Sequence, residues 1–248
     1  MIYDTHCHLD KLSTLQLSQQ IDPLNGYISV GTSSKDWLSV INLASQYPNV
    51  FPAIGLHPWF VDSKFSQQLD YLECTLNSSS FKALGEIGLD FSNLYRHNKS
   101  HQLSALERQL QLAEYNCLPI SVHVYKAHNE LLSMLKQFEV IGVIHGLGSS
   151  LEVAKSYLSL GYKIGVNGVI VRPNANRYHR MVQNLPMESF VLETDAPNVL
   201  LPEYSNSSLN DIYQVISKLS SLTGLTEQQV SQVTTETAQS IFKFKDNP

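Results

Sequence analysis

Histidine and acidic residues follow several apolar segments of this 248-residue chain, and their types and spacing suit the binding of divalent cations. His6 and His8 stand two residues apart, directly after a short apolar start. Side chains alternate faces along a strand, so both imidazoles point the same way, and Cys7 points to the opposite face, where we expect it to pack. Two neighbouring imidazoles can bind one metal ion. A solvated or capping pair is the alternative interpretation.

Five further residues of the same chemistry follow apolar, strand-like runs: His57, Glu86, His123, His145 and Asp195. Each has a structural alternative, such as a hydrogen-bonded histidine, an ion-paired glutamate or an aspartate in an Asx turn. Such local contacts have no reason to fall at the same end of six strands. A shared metal site therefore explains the set better than six separate structural roles.

The elements that must position these residues alternate between β-rich apolar runs and helical patterns. Strands are predicted over residues 2–5, 27–30, 50–56, 81–89, 119–124, 140–145, 162–166 and 190–193. Eight strands alternating with helices in about 250 residues are typical of an α/β (β/α)8 TIM barrel. A doubly wound open sheet is the competitor, but no G-x-G-x-x-G follows the first strand. We predict a single barrel domain over residues 1–248.

Helix starts are predicted from Ser or Thr residues that have an acidic or amide side chain three positions later. Ser33 precedes Asp36, Ser149 precedes Glu152, and Thr226 precedes Gln229. Each pair has the spacing of a cap at the first turn of a helix.

In a barrel all strand C-termini open on one mouth, so the seven side chains are expected to converge there. Four histidines and two carboxylates exceed the ligands of one tetrahedral zinc and suit two cations with a bridging carboxylate. Two such cations acidify a shared water, which becomes the nucleophile. We predict Glu86 as the bridge and Asp195 as the general base. The predicted first cation takes His6, His8 and Asp195, and the second takes His123 and His145.

Substrate contacts are predicted at the same mouth. His57 lies outside the six predicted ligands, and we predict a catalytic role in which it donates to a phosphate or leaving-group oxygen. A capping contact to the turn at Pro58 is the alternative. The densest positive cluster follows the fourth strand, and we predict that Arg96 and Lys99 bind flanking phosphates. A solvated loop is the alternative for these two residues.

Composition limits the class of protein. The formal net charge of −5 favours short, local contacts with nucleic acid over a basic face that wraps long DNA. Hydrophobic residues make up 43% of the chain, but no apolar run approaches the ~18 residues of a membrane helix. The three cysteines lie far apart without a C-x-x-C, and acidic and histidine residues appear by position 4. We therefore predict a cytoplasmic protein without a signal peptide, membrane contact or obligate protein partner.

Several motifs together resemble the TatD family of metal-dependent deoxyribonucleases. They are Asp4-Thr5-His6-Cys7-His8-Leu9-Asp10, Gly55-Leu56-His57-Pro58, Gly85-Glu86-Ile87-Gly88-Leu89-Asp90, Leu118-Pro119-Ile120-Ser121-Val122-His123 and Leu192-Glu193-Thr194-Asp195-Ala196-Pro197. The resemblance implies an amidohydrolase-like TIM barrel that cleaves phosphodiester bonds, often as a 3′→5′ exonuclease on DNA. It also implies two divalent cations, with zinc, magnesium and manganese as candidates. The family's metal positions fall on His6, His8, Glu86, His123, His145 and Asp195.

Two other functions stay open at this point. A hydrolase of an amide, lactone or aminoacyl ester would use the same barrel, and an apolar or acidic mouth would favour it over a phosphodiesterase. A non-catalytic metal-binding protein would be expected to have lost ligands, and the sequence retains all six. The chain departs from the family pattern outside those ligands, for example at Tyr125, Leu147 and Thr237.

Overall fold

The computed structural model describes residues 1–244, and eight parallel strands form its centre. They are paired in chain order, each with the next. The strands are β1 (Tyr3–Cys7), β2 (Gly26–Gly31), β3 (Val50–Ile54), β4 (Ala83–Asp90), β5 (Ile120–Tyr125), β6 (Gly142–Ile144), β7 (Lys163–Val166) and β8 (Phe190–Leu192).

The two ends of this sheet meet beyond the last residue of β8. The backbone N–H of Asp195 donates to the carbonyl of His6 at 2.9 Å, and the N–H of His8 donates to the carbonyl of Ala196 at 2.8 Å. The Thr194 hydroxyl also donates to the buried carboxylate of Asp4 at 2.6 Å. These bonds bring the first and last strands together, and the predicted TIM barrel is confirmed.

Helices surround the barrel. They are α1 (Thr14–Gln20), α2 (Trp37–Gln46), α3 (Phe65–Leu76), α4 (Lys99–Tyr115), α5 (His128–Leu135), α6 (Leu151–Ser159), α7 (Asn176–Asn184), α8 (Asp211–Thr223) and α9 (Glu227–Phe242). Short 3₁₀ turns lie between them, including Pro58–Phe60 after β3 and Arg96–Asn98 before α4. Within residues 1–244, no helix combines the length and apolar character needed to cross a bilayer. The cytoplasmic location and the single domain stay predictions.

The capping predictions have mixed outcomes. The Thr226–Gln229 capping box is present at the start of α9. At α6 the cap is Ser150, one residue later than predicted. Ser33 does not cap α2, because the Asp36 carboxylate accepts the backbone N–H groups of Thr32 and Ser33 and closes a turn before the helix.

The main core lies between the strands and the helices. Leucine, isoleucine and valine side chains dominate it, as in β4, where Leu84, Ile87 and Leu89 are fully buried. Cys7 is fully buried in a smaller apolar cluster with Leu9 and Leu12, which confirms that it packs away from the histidine pair. The barrel interior is left free to hold polar residues at its C-terminal mouth.

Candidate metal centre

The C-terminal mouth of the barrel holds a cavity of about 440 Å³. Six of the seven candidate residues line it: His8, His57, Glu86, His123, His145 and Asp195. His6, the seventh, is fully buried beside them. The candidate side chains therefore converge on one cavity, as predicted.

Glu86 is the centre of the cluster. One carboxylate oxygen, Oε2, lies 3.6 Å from Nε2 of His6 and 3.9 Å from Nε2 of His8. The other oxygen, Oε1, lies 3.3 Å from Nδ1 of His123 and 3.5 Å from Nε2 of His57. Each oxygen of one carboxylate thus faces a different pair of imidazoles.

Asp195 bridges a second part of the cluster. Its Oδ1 lies 3.4 Å from Nε2 of His8, and its Oδ2 lies 3.5 Å from Nε2 of His145. The side-chain amide of Asn198 donates to Oδ1 at 3.0 Å. His145 also stacks on His6, with 3.7 Å between the ring centroids.

Contacts on the outer side of three imidazoles orient their inner nitrogens. Nδ1 of His6 lies 2.8 Å from the hydroxyl of Ser121, and Nδ1–H of His8 donates to the backbone carbonyl of Val30 at 2.9 Å. Nε2 of His123 lies 3.3 Å from Oδ2 of Asp90. An imidazole whose outer N–H is bonded in this way presents a lone pair on its other nitrogen, as metal-bound histidines do.

Glu193, which was not predicted as a site residue, forms an ion-pair contact on the outer side of His145. Its Oε1 lies 2.9 Å from Nδ1 of His145 and accepts the backbone N–H of Gly146 at 2.7 Å. The carboxylate is fully buried, and it fits only because Gly165 has no side chain. A Cβ there would lie 2.0 Å from Oε2 of Glu193.

These residues fit a divalent cation. The inner imidazole lone pairs face carboxylate oxygens, and two electron-rich atoms approach favourably when a cation or a proton lies between them. Nε2 of His6 is buried with no hydrogen-bond partner. The ligand atoms of His6, His8 and Glu86 lie within 4.8 Å of one another.

His57 differs from the other imidazoles in the direction of its hydrogen bonds. Its Nδ1 accepts the backbone N–H of Trp59 at 3.2 Å, which is the capping contact named as an alternative. The neutral ring therefore carries its proton on Nε2, which points at Glu86. Burial lowers the pKa of His57 to about 4, so the neutral form dominates near pH 7.

The predicted sharing of one cation by His123 and His145 stays a prediction. The structure also places His57 beside His123 and Glu86. Among the described residues, the carboxylates within 4.0 Å of His145 are those of Glu193 and Asp195. Glu193 and the stacked ring of His6 hold His145 on the β8 side of the mouth.

The charges of the cluster favour ionised carboxylates. Burial opposes ionisation of Glu86, but the surrounding His57 and His6 keep its pKa well below the usual range. Burial likewise opposes ionisation of Asp195, and His145 and His8 more than compensate and hold its pKa low. The pKa of His145 is raised well above its ordinary value, because Glu193 and Asp195 outweigh the effect of burial.

The structure does not bring the predicted phosphate-binding residues to the cavity. Lys99 pairs with Glu130 at 2.5 Å, and its ammonium lies 4.6 Å from the ring of Phe91. Arg96 is exposed on the 3₁₀ turn before α4, and neither side chain lines the cavity. Among the described residues that line the cavity, the one with a permanent positive charge is Lys11. Its ammonium pairs with Asp10 at 2.6 Å and with Asp36 at 3.5 Å.

Two aromatic residues at the mouth were not predicted as site residues. Trp59 and Phe60 line the cavity directly after His57. The indole N–H of Trp59 donates to Oδ2 of Asp90 at 2.6 Å, the same oxygen that contacts His123. The sequence signal that could have identified them is a pair of consecutive large aromatic residues in the turn after a strand.

Comparison with known proteins agrees with the family resemblance seen in the sequence motifs. The family model described as TatD related DNase matches residues 3–243. The uncharacterized metal-dependent hydrolase YjjV of Escherichia coli K12 is 35% identical over 210 residues, which cover 80% of each chain. The YjjV crystal structure superimposes with a TM-score of 0.90 at 29% identity and covers 98% of both chains.

A TATDN1 homolog from Encephalitozoon cuniculi is 31% identical over 157 residues, which cover 63% of this chain and 55% of the homolog. Because the family model spans nearly the whole barrel and its metal-binding motifs, the chain belongs to the TatD family of metal-dependent hydrolases.

Proposed function

We propose that this hydrolase cleaves phosphodiester bonds, as a deoxyribonuclease of the 3′→5′ exonuclease type, with two divalent cations. The observation that carries the proposal is the position of Glu86. Its two oxygens face two different sets of imidazole nitrogens, which is the arrangement expected of a carboxylate shared by two cations.

The ligands follow from the inner nitrogens and the two carboxylates. His6, His8, Asp195 and Oε2 of Glu86 would hold one cation. Oε1 of Glu86 and Nδ1 of His123 would hold the other, and His145 would complete the set through Nε2, which faces Asp195. Mixed imidazole and carboxylate ligands are compatible with zinc, manganese and magnesium.

Bound cations would acidify a water molecule and stabilise negative charge on the phosphoryl oxygens. The Asp195 carboxylate is ionised, lines the cavity and is oriented by Asn198, so it would accept the proton of the attacking water. The proton on Nε2 of His57 points into the cluster. From there His57 would donate to a substrate oxygen when the substrate displaces its contact with Glu86.

Two features favour DNA as the substrate over an amide or an acyl ester. The matching family model is described as a DNase, and the TATDN1 homolog carries the word deoxyribonuclease in its name. The ammonium of Lys11, which pairs with Asp10 and Asp36, lies in the wall of the cavity. The overall charge of −5 restricts favourable electrostatic contact with a phosphate chain to this local region.

The test combines metal content with a substrate panel. Mass spectrometry of protein supplied with metal during purification should find close to two divalent cations per chain. Single-stranded DNA, RNA, bis-p-nitrophenyl phosphate and acyl substrates are then assayed with Mg²⁺, Mn²⁺ and Zn²⁺. Hydrolysis of DNA supports the proposal, and turnover confined to the acyl substrates would replace it with an amidohydrolase-type activity.

A further inference from the structure

Two consecutive aromatic side chains, Trp59 and Phe60, form an exposed surface at the mouth of the cavity, and we name this pair the aromatic shelf. Trp59 is 48% exposed and Phe60 is 43% exposed. Both line the central cavity and also a neighbouring cavity of about 400 Å³. The shelf is therefore the ridge between the candidate metal centre and a second concave surface.

The shelf is held rigidly. The indole N–H of Trp59 is anchored on Asp90, and the ring of Tyr95 stacks against the indole at 5.4 Å with planes 17° apart. The backbone N–H of Phe60 donates to the carbonyl of His57 at 2.9 Å. A rigid aromatic surface loses little conformational entropy when a ligand stacks on it, so such a surface favours binding.

Cationic side chains lie on both sides of the shelf, together with the carboxylates of Asp10, Asp36 and Asp62. Lys11 lines the central cavity, and Lys35 lines the neighbouring cavity together with the exposed His97. A planar ring on the shelf would place one neighbouring phosphate towards Lys11 and the metal centre and the other towards Lys35. Aromatic stacking between positively charged contacts is the usual way in which proteins bind single-stranded nucleic acid.

We propose that the aromatic shelf binds one nucleobase of a single-stranded substrate, next to the phosphodiester at the metal centre. This inference rests on the proposed phosphodiesterase function and adds a base-binding subsite to it. Stacking depends on the π-face that every base has, so the subsite would accept all four bases with little sequence preference.

Tryptophan fluorescence tests the subsite without relying on turnover. The chain has two tryptophans, and Trp37 is 1% exposed, so a ligand on the shelf would quench mainly Trp59. The probes are a phosphorothioate-linked thymidine tetranucleotide, which resists hydrolysis, and an abasic tetranucleotide with the same backbone. We expect quenching by the thymidine probe that is absent in Trp59→Phe and much weaker with the abasic probe.

Variants at Phe60 test the second ring and leave the Trp59–Asp90 bond in place. Phe60→Ala should raise the Kd of the thymidine probe about 5- to 100-fold, the range expected for loss of one stacking contact. Phe60→Tyr should retain the affinity. Tyr115→Ala is the control, because Tyr115 is 85% exposed and lines neither cavity.

Equal Kd values for the thymidine and abasic probes, or no binding of either, would overturn the proposal that the aromatic shelf binds a nucleobase. The proposed function is measured separately by hydrolysis of an abasic oligonucleotide with ordinary phosphodiester links. If the abasic oligonucleotide is hydrolysed and the two probes have equal Kd values, the base-binding subsite is rejected and the phosphodiesterase function stands. If no phosphodiester is hydrolysed, both proposals are rejected.

Discussion

Nε2 of His57 lies 3.5 Å from Oε1 of Glu86, and its direction of hydrogen bonding sets it apart from the other imidazoles of the cluster. The backbone N–H of Trp59 donates to Nδ1, which leaves the proton of the neutral ring on Nε2. The neutral His57 ring therefore meets Glu86 as a donor, whereas a neutral His8 ring presents a lone pair to the same carboxylate.

His57→Ala is expected to spare metal content and to reduce turnover. A ring that carries its proton on the inner nitrogen is not needed as a ligand, but its loss removes a donor to the substrate. We expect kcat to fall by about 100- to 10,000-fold. Metal analysis and steady-state kinetics on one preparation check both parts, and loss of a cation would instead identify His57 as a ligand.

Glu86→Gln is expected to abolish most metal binding and activity. The amide cannot supply two anionic oxygens to two groups of imidazoles, so we expect kcat to fall at least about 100-fold. Glu107→Gln on the exposed face of α4 is the matched control. Thermal unfolding of both variants checks that the fold persists. Full activity of Glu86→Gln would contradict the shared-carboxylate mechanism.

Lys11→Ala is expected to weaken binding of single-stranded DNA, whereas Lys99→Ala is not. Both lysines pair with carboxylates, but Lys11, beside Asp10 and Asp36, lines the cavity, whereas Lys99, beside Glu130, lies outside it. Loss of one phosphate contact should lower the slope of log K against log salt by about 0.7. Binding of the phosphorothioate probe over a salt series measures this slope. A change in Lys99→Ala alone would restore the role predicted from the sequence.

Metal affinity should rise with pH, and binding should release protons. Despite burial, nearby carboxylates raise the pKa values of His8, His123 and His145, so these rings hold protons above the pH at which a free histidine would. A protonated ring cannot ligate, and each must lose its proton first. Calorimetry in two buffers of different ionisation enthalpy should show release of about one proton or more per cation. A binding enthalpy independent of the buffer would contradict this.

The barrel and the cluster were predictable because both depend on strand ends. His6 and Asp195 lie far apart in the chain, but the count of eight strands places the first and last side by side. The contact of Lys99 was predicted wrongly because a run of basic residues does not show where each side chain points. Its partner, Glu130, belongs to the next helix. The bond from Trp59 to Asp90 was missed for a related reason, since it joins the loop after β3 to the end of β4.

The same limit applies to His57 and His145. Both follow apolar strands, so the sequence assigns them similar positions at the mouth. Their roles differ because of outer partners that the sequence does not pair with them: the Trp59 backbone for one ring and the buried Glu193 for the other. Ring orientation is a tertiary property, whereas the position of a residue on a strand is a local one.

Gly88→Ala is expected to damage both stability and the metal centre, because β4 and β5 approach closely beside His123. A Cβ at Gly88 would lie 1.9 Å from the carbonyl oxygen of His123, and the φ of +143° is unfavourable for alanine. We expect a loss of about 3 kcal/mol in the free energy of unfolding, together with lower metal content, as the strand moves His123. Gly161→Ala is the control, since its φ is +88° but no atom lies within 4 Å, and it should cost only about 1 kcal/mol. Urea denaturation measures the two losses and mass spectrometry measures metal content, and an unchanged metal content in Gly88→Ala would show that strand contact at Gly88 does not position His123.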